Sequence, residues 1–284
     1  MKKVLLAILG LVTIVLLIGA GFWGIYVRPF MSKMMVTKTV PYDKQLTLVL
    51  GGGGNSGILV SDSIVLVIDT KMKEPAKEFY ETVHQLAGNK PIIVVNTHVH
   101  SDHSDGNQYY KGQTIMAGGN YDKDFWKKDA GENSMPTVWV KDSLILHIGD
   151  ETVTVLNIPW SAHTQSDVLV YLNNRKMLFT GDIVLNGQSP ALFSKYNASS
   201  QGYLDAFDLM EKRFDINAVV PGHGPLGGKE VIDNYRQFFK DMQGVASGVD
   251  NKDQLIAKYK DWGQVPFLMS PAAAASFIKN EKGK

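Results

Sequence analysis

A short polar stretch, NTHVHSDHSDGN, directly follows the apolar run PIIVV and contains three histidines and two aspartates. The β-branched run predicts a buried strand. If that strand ends at Thr97, His98 and His100 project to the same side, because side chains alternate along a strand. Asp102 and His103 then lie where the backbone turns. An ordinary polar turn is the alternative, but two pairs of metal-capable side chains predict half of a two-metal site.

Three further metal-capable residues come after other apolar runs: His163 in PWSAHTQSD, Asp182 in KMLFTGD and His223 in VVPGHGP. Each alone has an ordinary interpretation as a turn, capping or glycine-flanked residue. With the first stretch, however, five of the seven histidines lie at strand-to-loop junctions, where rigid sheets carry active sites. The chain has no cysteine, so disulfides and thiolate ligands are excluded and a metal must depend on His, Asp or Glu.

Short apolar runs separated by Gly and Ser predict strands through most of the chain, from LTLVL to NAVVPG. Helical spacing of apolar residues predicts helices over 74–88, 202–213 and 229–242, with two short helices after Val245. The segment GGGGNSG (51–57) lacks the Lys-Ser or Lys-Thr of a phosphate-binding loop, so it predicts a mobile hairpin. The order of these elements favours an α+β domain in which outer helices cover two sheets.

The N-terminus is a separate region, because residues 4–27 contain no charged side chain after the short tail 1–3. A helix of this length spans a hydrocarbon core of about 30 Å. A transmembrane anchor is therefore predicted, with a cleaved signal sequence as the alternative. The main domain is expected outside the cytoplasmic membrane, or secreted or periplasmic if residues 1–20 are removed. Residues 28–43 are predicted to be a linker, 44–244 the main domain and 245–284 a helical extension.

The charge balance gives no reason to expect nucleic acid as a partner. Lys and Arg number 29 and Asp and Glu 28, and the resulting net charge of +1 is scattered rather than concentrated in a basic stripe. A small-molecule substrate and the membrane, through residues 4–27, are the expected partners. The oligomeric state is left open.

The motifs THVHSDHSDG, AHT, TGD and PGHG together resemble those of the metallo-β-lactamase superfamily, from about residue 44 to 240. The resemblance implies a four-layer αββα sandwich with two metal ions, usually zinc, between the loop ends of the sheets; iron or manganese are alternatives. It implies that His98, His100 and His163 bind the first metal. It further implies that Asp102, His103 and His223 bind the second, and that Asp182 bridges both.

The chain differs from particular branches of this superfamily at several motif positions, and these differences narrow the range of activities that the resemblance implies. The absence of cysteine excludes the β-lactamases that use a Cys ligand, and the histidine-only lactamases commonly lack the bridging aspartate that Asp182 provides. Leu185 stands where some lactonases have a tyrosine, and Ala162 where the family commonly has glycine. The basic glutathione-contact pattern of glyoxalase II is not evident. The chain therefore resembles general hydrolases at least as well as antibiotic-degrading ones.

The resemblance implies a zinc-dependent hydrolase in which a hydroxide held by two metals cleaves an ester, thioester, lactone or β-lactam. Asp102 is expected to be catalytic by orienting or shuttling a proton. The alternatives are an iron-dependent oxidoreductase, similar to persulfide dioxygenase, and a phosphodiesterase. Loops 51–57 and 185–201 are predicted to shape the substrate pocket, and Trp160, Phe193 and Tyr196 are candidates to line it.

Overall fold

The computed structural model describes residues 2–119, 123–249 and 251–282. The strands are β1 Thr37–Pro41, β2 Leu46–Gly51, β3 Ser56–Val60, β4 Val65–Ile68, β5 Ile92–Val95, β6 Thr114–Gly118, β7 Val138–Val140, β8 Ser143–Ile148, β9 Glu151–Asn157, β10 Val168–Leu172, β11 Met177–Leu185 and β12 Ala218–His223. The helices are α1 Lys2–Phe22, α2 Arg28–Met34, α3 Lys73–Ala87, α4 Ser101–Ser104, α5 Lys123–Ala130, α6 Ser200–Arg213, α7 Glu230–Ala246, α8 Lys252–Lys258 and α9 Pro271–Lys282.

The strands form two sheets, with the orders β1-β2-β3-β4-β5-β6-β7 and β12-β11-β10-β9-β8. In the first sheet β1 to β4 pair antiparallel and β4 to β7 pair parallel. In the second sheet only the β11–β12 pair is parallel among the described strands. Helices pack on the outer face of each sheet. The predicted α+β, four-layer αββα sandwich is therefore confirmed.

Alternation along the strands explains how one sheet can be buried on both faces. In β4, Leu66 and Ile68 belong to the core between the two sheets, while Val65 and Val67 pack with the residues of α3. These four side chains point alternately to opposite faces, because a strand has a side-chain period of two. The run IVLVI thus fills two hydrophobic layers at once, which is why it is continuously apolar.

The C-terminal extension is helical, as predicted, and it packs on the second sheet's outer layer. Ile278 of α9 is fully buried in the same hydrophobic cluster as Phe239 of α7. The first turn of α9 is capped: Ser270 Oγ accepts a hydrogen bond from Ala273 N at 3.2 Å, and Pro271 is the first helical residue.

Residues 28–43 do not form the linker that their polar sequence predicts. Arg28–Met34 form α2, and Thr37–Pro41 form β1, which pairs with β2 in the register Thr37 to Gly51. The alternation of TKTVP suits an edge strand with one face exposed, so it adds to the sheet instead of spacing it from the membrane segment. The strand β7 and helix α5 were not predicted either.

The N-terminal helix continues from Lys2 to Met34 through a π-helical segment at Trp23–Val27. Its most apolar part has a mean hydropathy of 2.8 and is not buried against the rest of the chain. By length and composition it can cross a bilayer, and a signal sequence near an N-terminus has the same properties. Whether it anchors the chain is therefore a prediction.

Candidate metal centre

The structure brings all seven predicted metal-binding side chains together, and all of them except Asp182 lie at or after the end of a strand. His98 and His100 follow β5, and Asp102 and His103 lie in the short helix α4 directly after them. His163 follows β9, while Asp182 lies within β11 and His223 ends β12. The remaining two histidines, His84 and His147, are exposed on α3 and β8.

Three imidazole nitrogens form the first donor cluster. His98 Nε2 lies 3.0 Å from His100 Nδ1, and His163 Nε2 lies 2.9 Å from the same Nδ1 atom. Two ligands of one tetrahedral ion, each bound at about 2.0 Å, are roughly 3.3 Å apart. The three nitrogens are therefore spaced as a metal ion of this size requires, with the fourth position available.

The second donor cluster combines one carboxylate with two imidazoles. Asp102 Oδ2 is 3.0 Å from His223 Nε2 and 3.6 Å from His103 Nε2. The donor atoms in each of the two clusters lie within 4.8 Å of one another. Nitrogen and oxygen donors without sulfur suit zinc, iron and manganese alike.

Asp182 stands between the two clusters and presents one oxygen to each. Its Oδ1 atom lies 3.1 Å from His103 Nε2 and 3.4 Å from His223 Nε2. Its Oδ2 atom lies 3.5 Å from His163 Nε2. Asp182 Oδ1 and His103 Nε2 are both buried, and the 3.1 Å contact between them is not a hydrogen bond, so neither atom has a hydrogen-bond partner among the described residues. The donor set fits metal binding, since buried polar atoms in proteins normally have a partner.

The histidines of the first cluster favour their neutral, metal-binding form. Burial lowers the pKa of His100 to about 4 and that of His163 to about 3, although nearby carboxylates oppose the shift. Burial also lowers the pKa of His98 well below its ordinary value. These imidazoles therefore carry free electron pairs at neutral pH, as metal ligands must.

The second cluster sets two carboxylates against two imidazoles. Burial would raise the pKa of Asp182, but His223 and His103 hold it well below its ordinary value. Burial opposes protonation of His103 and His223, yet the adjacent carboxylates raise both pKa values, that of His223 to about 9. The carboxylates thus require positive charge beside them, which protons on the imidazoles or a divalent cation would supply.

Residues behind the clusters orient two of the imidazoles. His103 Nδ1 donates a hydrogen bond to Asp69 Oδ2 at 2.7 Å, and Asp69 in turn accepts from Thr97 N and Thr97 Oγ1, both at 2.7 Å. His163 Nδ1 donates to Tyr203 Oη at 2.8 Å, and that hydroxyl donates to the backbone oxygen of Asp182 at 3.3 Å. Each bond leaves the Nε2 atom of its histidine facing the cluster.

Comparison with known proteins identifies the family. The model of the metallo-β-lactamase superfamily matches residues 49–223, which is more than half of the chain and includes all seven clustered side chains. The chain belongs to the metallo-β-lactamase superfamily.

The relatives within this superfamily are distant and have different activities. A protein from Gallus gallus named acyl-coenzyme A thioesterase MBLAC2 is 27% identical over 170 residues, which are 51% of this chain and 60% of that protein. A metallo-β-lactamase type 2 from Bacillus cereus is 26% identical over 182 residues, 63% of this chain and 70% of that enzyme. The chain thus spans about 60% of the length of the thioesterases that it matches.

Solved structures confirm the superfamily's fold. A metallo-β-lactamase from Pontibacter korlensis superposes with a TM-score of 0.62 at 21% identity, covering 72% of this chain and 99% of that one. The FIM-1 metallo-β-lactamase from Pseudomonas aeruginosa gives a TM-score of 0.60 at 18% identity, with 73% and 96% covered. At this identity the likeness concerns the fold alone.

The two donor clusters lie beside a pocket of about 930 Å³, near the upper end of the usual size for small-molecule sites. Loop 185–201 contributes Phe193 and Tyr196, as predicted, and the Tyr196 ring lies 4.2 Å from that of His100. Trp160 does not line this pocket: it packs against the hydrophobic core, and its Nε1 atom donates to Gly202 O at 3.0 Å. An aromatic residue near a strand end can serve packing as readily as binding, so the sequence could not separate these roles.

The glycine-rich loop 51–57 also contributes to the pocket, but it is packed rather than mobile. Gly54 N donates to Asp102 O at 3.0 Å, and the His103 ring lies directly against the Gly54 α-carbon. On the other side, the buried Lys71 ammonium donates to the backbone oxygens of Val49, Gly51 and Gly54. Burial lowers the pKa of Lys71 to about 7, while the three carbonyls favour its protonated form.

Several residues of the site were missed from the sequence. Asp69 follows the apolar run IVLVI, and this position after a strand was the signal that identified the other candidates. Tyr203 carries no such signal, because it lies in helix α6. Lys71 follows β4 by three residues, but a lysine is not a metal-binding residue type, so the search for ligands passed over it. Helix α2 and the C-terminal turn 263–270 also reach the pocket, at the residues Phe30, Lys33, Met34, Gln264, Leu268 and Met269.

Proposed function

We propose that this protein is a metal-dependent hydrolase that cleaves an acyl bond. A thioester or an ester is the favoured substrate. The observation that carries the proposal is the pair of donor clusters, 2.9 to 3.6 Å between neighbouring donors, that share Asp182 and line one pocket. Membership of a hydrolase superfamily supports the reaction class.

The side chains divide into two sets of metal ligands in this proposal. His98, His100 and His163 would hold one ion, and Asp102, His103 and His223 a second. Asp182 would contact both ions and offset their mutual repulsion. When bound, such metals supply Lewis acidity, which activates water and polarises a carbonyl oxygen. The chain itself excludes bulk water from the buried histidines and keeps their donor nitrogens aligned.

Asp102 is the proposed catalytic residue of the chain. Its side chain is 16% exposed and lines the pocket, whereas the histidine beside it is fully buried. Its carboxylate can therefore contact both a ligand in the pocket and the second donor cluster. We propose that it orients a proton during acyl transfer in addition to its role as a ligand.

The pocket and the relatives favour an acyl thioester or ester over the other bonds. Leu50, Met72 and Phe193 give the pocket an apolar wall suited to a hydrocarbon chain. Relatives named acyl-coenzyme A thioesterase match half of this chain, while those named metallo-β-lactamase match nearly two thirds. A β-lactam is therefore the second substrate to test.

A substrate panel with the purified full-length chain tests this proposal. Acyl-coenzyme A thioesters, p-nitrophenyl esters, acyl-lactones, nitrocefin and bis-p-nitrophenyl phosphate would be offered to the zinc-loaded protein. We expect thioester or ester turnover that His98→Ala abolishes and His84→Ala, at an exposed site on α3, leaves unchanged. Turnover of the phosphodiester alone would replace the proposal with a phosphodiesterase.

Metal analysis tests the cofactor separately from the reaction. We propose two zinc ions per chain. The site has two donor clusters, and five of its seven donor side chains are imidazoles, which suit zinc. Full-length protein purified without added metal should contain close to two equivalents of zinc by mass spectrometry. Iron as the dominant metal would instead favour the oxidoreductase alternative.

We further propose a single-pass protein of the cytoplasmic membrane, with the catalytic domain on the outer side. The apolar helix Lys2–Met34 supports an anchor by its length and hydropathy. Intact mass of the membrane-extracted protein should correspond to the full chain. A mass lacking about the first 20 residues would indicate a cleaved signal sequence and a secreted or periplasmic product.

A further inference from the structure

We propose that the pocket takes an anionic amphiphile with a long acyl chain directly from the surface of the bilayer. The inference rests on the hydrolase function and the membrane anchor proposed above, and it names their substrate class. Its basis is a juxtaposition: the last turns of the N-terminal helix line the same pocket as the two donor clusters. A polar substrate from bulk water gains nothing from this arrangement.

The pocket wall lies close to the predicted level of the lipid head groups. Phe30 and Met34 follow Val27, the last residue of the apolar run, by three and seven positions. At 1.5 Å per helical residue they lie about 4.5 and 10.5 Å beyond it. The head-group layer of one leaflet is roughly 5 to 7 Å thick. On this scale Phe30 lies within the head-group layer and Met34 lies about 4 to 6 Å beyond it, so an amphiphile in the leaflet can contact the pocket wall at Phe30 while it remains in the layer.

Backbone hydrogen bonds join the end of this helix to the donor clusters. Gly53 N donates to Met34 O at 2.8 Å, and Gly52 N donates to Val36 O at 2.9 Å. The next residue in the loop, Gly54, donates to Asp102 O. The membrane-proximal helix and a proposed metal ligand thus contact the same four-glycine loop, which holds the helix end against the pocket.

The pocket entrance is apolar and partly exposed. Phe30 and Met34 of α2 line one part of it, and Leu268 and Met269 of the C-terminal turn line another. Leu268 is 45% exposed and its neighbour Phe267 is 90% exposed. Exposed large apolar side chains beside a pocket indicate contact with a hydrocarbon surface or ligand. A long acyl chain can lie along this wall.

Two lysines at the same pocket favour an anionic head group. Lys33 and Lys38 line the pocket, are exposed and have no ion-pair partner among the described residues. By contrast, Lys195, on loop 185–201, lies 3.1 Å from Asp129 and is already paired. Phosphate or carboxylate groups of an amphiphile would supply the missing partners.

Chain-length dependence tests the apolar wall. Full-length protein in vesicles of phosphatidylcholine and phosphatidylglycerol would be given butanoyl- and hexadecanoyl-coenzyme A. We expect kcat/KM to be at least about tenfold higher for the long chain, since each buried methylene group favours binding. Leu268→Ser and Phe30→Ser should each lower this ratio by about threefold or more. Leu86→Ser, at a similarly exposed leucine of α3, is the matched control and should leave the ratio unchanged.

Binding of the non-hydrolysable thioethers S-hexadecyl- and S-butyl-coenzyme A separates this inference from the hydrolase function. A preference for the hexadecyl compound that Leu268→Ser removes would support the amphiphile pocket even if neither thioester is cleaved. Cleavage without any chain-length preference would leave the hydrolase function intact and overturn the inference. An equal loss in the Leu86→Ser variant would also overturn it.

Two further experiments test the role of the lysines in binding the anionic head group and the uptake of the substrate from the bilayer. The double variant Lys33→Glu/Lys38→Glu should weaken thioether binding about tenfold, whereas Lys111→Glu, at an exposed lysine outside the pocket, should not. Hexadecanoyl-coenzyme A loaded into the vesicles that hold the protein should be cleaved faster at first than the same amount loaded into protein-free vesicles, with equal amounts of both vesicle types in each sample. Equal initial rates, which uptake through bulk water predicts, would overturn uptake from the bilayer.

Discussion

At the scale of single residues, the chemistry of this site depends on atoms behind the donor clusters as much as on the donors themselves. The Tyr203 hydroxyl contacts His163 Nδ1 and the backbone oxygen of Asp182, so one neutral group positions residues of two different elements. Asp69 does the same for His103 and the strand-end residue Thr97. A ligand whose second nitrogen is held cannot rotate away from the cluster.

Removing the Tyr203 hydroxyl should weaken metal binding. In Tyr203→Phe, His163 loses its hydrogen-bond acceptor, and we expect the metal affinity to fall about 10- to 100-fold. Competition with a chromophoric chelator would measure the change. Tyr235→Phe is the matched control, because Tyr235 is buried in the same aromatic cluster but its hydroxyl has no hydrogen-bond partner. Equal affinities in the two variants would contradict this role.

Replacing Asp182 by Asn should remove one metal ion preferentially. The substitution halves the negative charge that offsets two cations. Asp182 contacts both histidines of the second cluster but only His163 of the first, so the second cluster is affected more. We expect bound zinc to fall from about two equivalents toward one by mass spectrometry. Asp129→Asn, whose carboxylate lines the same pocket but contacts Lys195 and Tyr196, should retain the wild-type metal content.

At the scale of elements, the loop of the β2–β3 hairpin lies between the donor clusters on one side and Lys71 on the other. Its glycines allow the backbone to lie against Asp102 and the His103 ring, where a side chain has no room. Lys71, directly after β4, holds the same loop through three backbone oxygens. A tetraglycine sequence therefore forms an ordered loop, because its neighbours supply the contacts that its own side chains lack.

Gly54→Ala should disturb the site through space alone, since the backbone of Gly54 is not in the left-handed region. The new methyl group overlaps the His103 imidazole. We expect a loss of about 1 to 3 kcal/mol in the free energy of unfolding, together with weaker metal binding. Gly244→Ala, in α7 where a methyl group has room, should instead stabilise by roughly 0.5 to 1 kcal/mol. Chemical denaturation with tryptophan fluorescence would measure both.

At the scale of the whole molecule, the two sheets are joined by their shared core and also by polar contacts, among them those of Arg175. Arg175, between β10 and β11, donates through Nε to Asp43 Oδ2 at 2.8 Å and also contacts Glu151 of β9. Asp43 belongs to the β1–β2 turn of the first sheet. Arg175 therefore links the first sheet to the second outside the hydrophobic layer.

Arg175→Met should lower stability and change its acid dependence. Removing the guanidinium leaves Glu151, which is 2% exposed, without its cation, and we expect a loss of about 3 kcal/mol at pH 7. The hydrogen bond from Arg175 lowers the pKa of Asp43 to about 2. Because the folded value is depressed, Asp43 stabilises the fold above pH 3.8 and this contribution is lost as the pH falls toward 2. That part of the acid dependence should disappear in the variant and remain in Arg213→Met, an exposed control.

Much of this organisation could be predicted from the sequence because it is local. A short apolar run followed by polar residues predicts a strand and the loop after it, and this signal located nearly all the strands and all seven clustered side chains, although β11 continues three residues past Asp182. Their roles as metal ligands stay a proposal. The edge strand β1 was missed because TKTVP has little apolar character, and its pairing with β2 depends on a distant partner.

The sequence by itself therefore indicated two sheets covered by outer helices, the candidate metal-binding residues and the apolar N-terminal helix, since each depends on patterns within a few neighbouring residues. The αββα arrangement followed from the resemblance of the motifs to those of the superfamily. Only the tertiary structure decided that Tyr203 and Asp69 hold the histidines, that Trp160 packs in the core, and that helix α2 and the turn 263–270 reach the pocket. These contacts join residues far apart in the chain, and their formation depends on how the two sheets and the outer helices pack.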